Sequence, residues 1–232
     1  MYFDWTYVIL VLPAVVFALW ASAHVNTTFK KYKNTRNARG ITGADAARAV
    51  LKSRGIENVS VYPIQGNLTD HYDPKTNGIA LSEDVYNSTS TAAIGIACHE
   101  AGHAMQYADQ YAPVKIRMAI LPVTRIGSQL ALPLIIGGFL LTTFGEQWIL
   151  LAYIGILCFA LSALFQLITL PTEFNASRRA LACIEENRLL AGDELKGAKR
   201  VLSAAAMTYV AALAVSLMQL LRFVLLINGR RR

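Results

Sequence analysis

The chain has little negative charge and few of the residues that staple or ligate. It carries 15 acids against 22 Lys and Arg, four histidines and three cysteines. Cys98, Cys158 and Cys183 are odd in number and lack the Cys-x-x-Cys spacing of a metal knuckle, and Cys158 falls inside an apolar run. Neither a disulfide framework nor a cysteine-based metal site is implied. No P-loop occurs, which excludes an ATP-driven engine within this sequence. Sequence repeats and low-complexity tracts are absent as well. The net charge of +7 does not point to nucleic acid, because the basic residues lack interleaved aromatics on a groove-reading element. They flank apolar runs, where orientation in a bilayer and contact with anionic lipid account for them.

What the chain has in excess is apolar length. Hydrophobic residues make up 54% of it. Trp5 to Ala23, Trp148 to Leu170 and Val201 to Leu221 are free of charge, and Ala119 to Phe144 carries Arg125 alone. A helix needs about 20 apolar residues to cross about 30 Å of hydrocarbon, so these runs predict about four transmembrane helices. Ala21-Ser22-Ala23 mimics a signal-peptidase site, but Met1-Tyr2-Phe3-Asp4 holds an acid and no base, while Lys30, Lys31, Lys33, Arg36 and Arg39 follow the run. The positive-inside rule then reads an uncleaved anchor with its N-terminus outside. Four full crossings put Lys115, Arg117, Arg178, Arg179, Lys196, Lys199 and Arg200 inside but leave Arg230-Arg231-Arg232 outside. Either the bulk of the charge prevails, or the last run, which ends near Arg222, does not cross completely.

Between the first two runs lies a polar stretch that reads as a small α+β unit. Thr42 caps a predicted helix with apolar Ala46, Ala49, Val50 and Leu51, and Gly55 stops it. Val59 to Ile64 and Gly78 to Ser82 are β-prone, with turn formers Asp73 to Gly78 between them, so a small sheet with a hairpin is expected. A second helix runs from about Ser90 to Tyr107, its apolar part too short to cross a membrane.

That second helix carries His99-Glu100-Ala101-Gly102-His103, an HExxH pattern. Residues four apart share a helix face, so both imidazoles can hold one metal while Glu100 stands beside them as general base. In such sites two histidines and a third protein ligand bind Zn²⁺ and leave a position for water. Gly102 lets another element pack closely under the metal. For the third ligand the candidates are His24, His71, Glu173, Glu185 and Glu186. Glu173 is favoured, because Pro171-Thr172-Glu173 opens a helix just after the third run and returns to the membrane face that holds His99. Tyr107, one turn beyond His103, reads as packing, and Cys98 as a buried thiol.

The run from Leu68-Thr-Asp-His-Tyr-Asp-Pro through Gly-Ile-Ala-Leu-Ser, His-Glu-Ala-Gly-His-Ala and Glu-Phe-Asn-Ala-Ser-Arg-Arg-Ala resembles the bacterial membrane-bound neutral zinc metallopeptidases of the YugP type. More distantly it is similar to HtpX and the CAAX prenyl proteases. The resemblance covers nearly the whole chain. It implies a multi-pass peptidase with its zinc face in the cytosol, and it carries the third-ligand role onto Glu173. The chain departs from the pattern at Asn175 and Ser177, where the related families place Asp. Both residues, with His71 and Tyr72, are candidates for supporting the ligands or an oxyanion. Ile79, Ala80, Leu81 and Ser82 are expected to pair with extended substrate. Site-2 intramembrane proteases resemble the chain less, since the Leu-Asp-Gly that supplies their third ligand is missing. A non-catalytic scaffold or chaperone with a retained zinc is the competing reading, weakened by Glu100, which a structural site does not need.

The expected fold is therefore α+β: a zincin-like catalytic head with a small sheet and the HExxH helix, joined to a bundle of about four transmembrane helices. Residues 1–24 form the anchor, 25–117 the head, 118–171 a transmembrane hairpin, 172–200 the helix with the third ligand, and 201–232 the last transmembrane helix and basic tail. The expected activity is hydrolysis of peptide bonds with one Zn²⁺, His99, His103 and Glu173 as ligands and Glu100 as base. The expected partners are the lipid bilayer and a peptide or protein substrate at the membrane, with the active site on the cytosolic face of the cell membrane.

Overall fold

The computed structural model describes residues 4–229, so Arg230-Arg231-Arg232 and the first three residues, which entered the orientation argument, lie outside the described residues. Helices dominate. A π-helical turn, Tyr7–Val11, leads into α1 (Leu12–Lys33), whose last turn collects Lys30, Lys31 and Lys33 at the negative end of the helix dipole. Helix α2 (Gly43–Ser53) starts on a reciprocal cap, in which the Thr42 hydroxyl accepts from the Asp45 N–H and the Asp45 carboxylate accepts from the Thr42 N–H.

Strands β1 (Ser60–Ile64), β2 (His71–Asp73) and β3 (Gly78–Ser82) form one sheet in the order β1-β3-β2. The hairpin expected between the 59–64 and 78–82 runs is not there: β1 lies parallel to β3, and the antiparallel partner of β3 is β2. A tight hairpin needs a turn that touches both strands, and the turn at 74–77 touches β2 and β3 only. Three residues are too few for β2 to announce itself by alternation.

Helix α3 (Glu83–Tyr86) is a single turn, followed by α4 (Thr91–Ala108), where the Ser90 hydroxyl accepts from the Ala93 N–H at 3.1 Å. Three long helices complete the chain: α5 (Ala112–Leu141), α6 (Ile149–Glu186) and α7 (Gly192–Gly229), with two 3₁₀ turns, Thr142–Phe144 and Glu146–Trp148, between α5 and α6. No helix opens at Pro171, contrary to expectation. Pro171 sits inside α6, and the expected 172–200 helix is divided at 187–191, where Arg188 adopts φ 50° and Gly192 φ 54° to reverse the chain. Apolar composition ends near Leu170, but the hydrogen-bonded helix runs on for another four turns, so polarity and helix end do not coincide.

The chain divides into two compact units. One comprises 4–20, Lys115–Leu170 and 208–229, the other Ala21–Val114 and Pro171–Met207. Among the described residues, four helical stretches are long and apolar enough to cross a membrane: Tyr7–Lys33, Ala112–Phe144, Glu146–Glu186 and Gly192–Gly229. In the first unit Ile9, Leu19, Leu140 and Leu157 are each about two-thirds exposed, as suits lipid-facing positions. Its helices touch through small residues, with Gly138 against Ala152 and Gly155 against Ala131. The second unit has an ordinary apolar core in which Val50, Ile79, Leu81, Val85, Ile94, Cys98, Cys183 and Ile184 are fully buried.

Candidate metal centre

The second unit brings α4 and α6 into backbone contact at one point. A Cβ on Gly102 would stand 2.5 Å from the Ala176 carbonyl oxygen, so only glycine fits there. That approach places Glu173, one turn before the contact, and Ser177, the residue after it, beside the α4 histidines. Glu173 Oε2 lies 3.2 Å from His99 Nε2 and 3.4 Å from His103 Nε2. The three donor atoms all fall within 4.8 Å of one another, and the Glu173 side chain is 3% exposed.

This donor set fits zinc. Ligands held about 2.0–2.2 Å from a tetrahedral Zn²⁺ are about 3.3 Å apart, which is the spacing of the Glu173 oxygen from both nitrogens. Two imidazoles and one carboxylate leave a fourth position open, the arrangement of catalytic zinc sites. His24, His71, Glu185 and Glu186, the rival third ligands, do not join the cluster. Glu186 is bound to Arg54 at 2.6 Å instead, and His71 is exposed with Nδ1 2.8 Å from the Thr69 carbonyl.

Each histidine has a second contact. His99 Nδ1 is 3.1 Å from the Ser177 hydroxyl, and His103 Nδ1 is 3.0 Å from Gln106 Oε1. Burial pulls the His103 imidazolium down, but hydrogen bonds to Glu173 and Gln106, with the charges of Glu100 and Glu173, carry it above its ordinary value. Asn175 does not touch a histidine. Its Oδ1 accepts from Gln106 Nε2 at 3.0 Å and from Arg179 Nε at 2.8 Å, and Arg179 in turn pairs with Asp109.

Glu100 is 8% exposed and accepts the Tyr72 N–H at 2.9 Å. That N–H points away from β3, so the Glu100 carboxylate occupies the outer edge of β2. The Tyr72 hydroxyl donates to Asn77 Oδ1 at 2.8 Å, and its ring meets Tyr107 edge-on. Cys98 is fully buried, and burial pushes its thiol up.

The expectation that Ile79 to Ser82 pairs with substrate is overturned by the sheet. β3 is the central strand, buried along its length, with β1 on one edge and β2 on the other. Past the end of β2, Asp70 takes over, accepting from the Ser82 N–H at 2.7 Å and the Ser82 hydroxyl at 3.1 Å. Burial raises the Asp70 carboxyl above its ordinary value, against the pull of those Ser82 bonds. Asp70 and Gln106 were not anticipated. For Gln106 a signal existed: it lies three residues after His103, on the same helix face, in an otherwise small and apolar helix.

Residues 7–228 match the profile of the family described as "Putative neutral zinc metallopeptidase". The "Putative membrane protease YugP" of Bacillus subtilis (strain 168) is 43% identical over 225 residues, which cover 97% of this chain and 98% of that protein. No solved structure matches the chain. A family profile that spans almost the whole length, a relative of this similarity and a donor set that suits zinc lead to one conclusion: the chain belongs to the neutral zinc metallopeptidase family.

Proposed function

We propose that this protein is a membrane-embedded zinc endopeptidase with a zincin-like head, in which the HExxH residues His99 and His103 and the α6 carboxylate Glu173 hold one zinc and Glu100 is the general base. The observation that carries the reading is the meeting of three donor atoms from two helices within 4.8 Å of one another, beside a buried glutamate that is not one of them. When bound, zinc supplies Lewis acidity, lowering the pKa of a water to about 7 and polarising a carbonyl. The chain supplies the rest. Glu100 takes the proton of the attacking water at its carboxylate and delivers it to the leaving amine. An extended peptide adds along the free edge of β2, where it exchanges for the Glu100 carboxylate at the Tyr72 N–H and so leaves that carboxylate free to accept the proton.

The basic residues that flank the apolar helices support a cytosolic active site, and the presence of membrane spans in the same chain favours substrates that are themselves membrane proteins or lie close to the bilayer. Hydrolysis of soluble, membrane-free casein at the same rate as a membrane-bound substrate would remove that preference.

The test is Glu100→Gln in the full chain, with zinc content and peptide hydrolysis measured side by side. About one zinc per chain with hydrolysis reduced by at least about 10²-fold is expected, general-base catalysis being worth roughly 10²–10⁴. Undiminished hydrolysis removes Glu100 from the mechanism. Zinc in wild type without any hydrolysis favours a scaffold with a structural metal.

A further inference from the structure

Gln106 is completely buried one turn after His103, and four hydrogen bonds determine what it does. Its Nε2 stands 2.8 Å from the Thr172 carbonyl oxygen. A carbonyl can only accept, so the group that faces it is the amide NH₂, and Oε1 must turn to His103. A guanidinium can only donate, so Arg179 Nε, 2.8 Å from Asn175, fixes Oδ1 of that amide inward, where it takes the second Gln106 N–H at 3.0 Å. Two groups with a single possible role, a main-chain carbonyl and an arginine, therefore set the direction of every bond in the chain Arg179–Asn175–Gln106–His103. At its end Gln106 Oε1 accepts from His103 Nδ1, which must carry the proton.

We infer that Gln106 is the positioning residue that locks His103 as the Nδ1–H tautomer and presents its Nε2 lone pair to the metal, with Asn175 and Arg179 as the anchors that keep Gln106 from turning over. The inference rests on the zinc reading above and deepens it. It also defines what position 175 requires, an acceptor facing both Arg179 and Gln106, which Asn provides through Oδ1 and Asp would provide equally. Asn175 acts through Gln106 and touches no ligand. His99 is held differently, because the Ser177 hydroxyl can donate or accept and so imposes no tautomer.

The experiment uses the zinc-loaded full chain labelled with ¹⁵N-histidine, which gives only four ring spin systems. Wild-type His103 is expected to show a protonated Nδ1 and a coordinated Nε2. Zinc affinity, read by competition with a chromophoric chelator, is expected to weaken about 10–100-fold in Gln106→Leu and about 3–10-fold in Asn175→Ala, while Asn175→Asp stays within about twofold of wild type. His103 coordinated through Nδ1 overturns the inference, as does a Gln106→Leu chain that holds zinc as tightly as wild type. If Gln106→Leu fails to fold, equal affinity in Asn175→Ala and wild type overturns it instead. A wild-type chain that takes up no zinc overturns the zinc reading and this inference with it, whereas zinc held equally by wild type and variant overturns this inference alone.

Discussion

The two units of the chain treat buried polar groups in opposite ways. In the apolar unit, the Ser162 and Thr169 hydroxyls are buried without a hydrogen-bond partner. Its prominent charge contact, Arg222 with Asp4 at 2.5 Å, sits at the chain's ends. In the unit that holds the histidines, no buried side-chain nitrogen or oxygen among the described residues lacks a partner. Glycine shows the same division. Gly138 and Gly155 let helices touch, and Gly102 lets α6 bring Glu173 up to the two histidines. Close packing in the first unit serves association in a medium where apolar surface gains nothing by being covered. In the second it serves the aim of a few side chains, so damage to packing there should register first in metal binding.

The strongest break of that division is Glu173→Ala. It removes the donor atom common to both histidine contacts and leaves the apolar unit untouched. Elemental analysis should find about one zinc per wild-type chain and none in the variant, a loss of at least about 100-fold in affinity or about 2.8 kcal/mol. Full zinc content in the variant would place the third ligand elsewhere. The next effect is steric. Gly102→Ala puts a Cβ against the Ala176 carbonyl, an overpacking cost of about 1–3 kcal/mol that separates α4 from α6 and weakens zinc as well as lowering Tm. Gly137→Ala is the control from the apolar unit, since a Cβ there meets nothing within 4 Å. Helix propensity alone predicts that it is neutral or stabilising by up to about 1 kcal/mol.

A smaller effect is expected when the ion pair of the apolar unit is cut. The Thr6 hydroxyl first, and Arg222 next, hold the Asp4 carboxyl down from 3.8 to about 2. A depressed pKa in the folded chain stabilises it above pH 3.8, and that contribution is lost as the pH falls through about 2. Arg222→Met should remove about 0.5–1 kcal/mol at neutral pH, since the pair is partly open to water. The difference from wild type should shrink as Asp4 is protonated. Zinc content should not change. A variant that lost zinc here would show that the two units are energetically one.

Much of the second unit was legible before any coordinates. The His99 to His103 spacing, the small residue at 102 and the first carboxylate after the third apolar run are local patterns with direct chemical meaning, and the sheet's central strand was found to the residue. What failed did so for definable reasons. The 71–73 strand is too short to have a period, and the parallel pairing of β1 depends on a crossover that no local residue specifies. Pro171 reads as a helix start but is tolerated inside a helix that packs on both sides of it. Substrate pairing is expected at 79–82 because that strand precedes the helix of the two histidines, yet a run buried on both faces is the signature of a central strand. Gln106 carries only the signal of its spacing from His103, because the bonds that give it a role come from Thr172, Asn175 and Arg179, all more than 60 residues away in sequence.

Ser177→Ala should have the smallest effect and sharpens the contrast within the site itself. The hydroxyl contacts His99 Nδ1 at 3.1 Å, as Gln106 contacts His103, but its surroundings differ. It rotates freely between donor and acceptor roles, and the His99 side chain is 15% exposed, so water can replace it. Loss of a neutral hydrogen bond that water can restore costs about 0.5 kcal/mol, or two- to threefold in zinc affinity. Ser177→Asp should tighten zinc instead, because a charged acceptor strengthens the imidazole as a ligand. The chelator competition that ranks Gln106→Leu ranks these two variants as well. If Ser177→Ala costs as much as Gln106→Leu, then fixed polarity and burial are not what make a supporting residue matter, and the distinction between a locked His103 and an adaptable His99 falls.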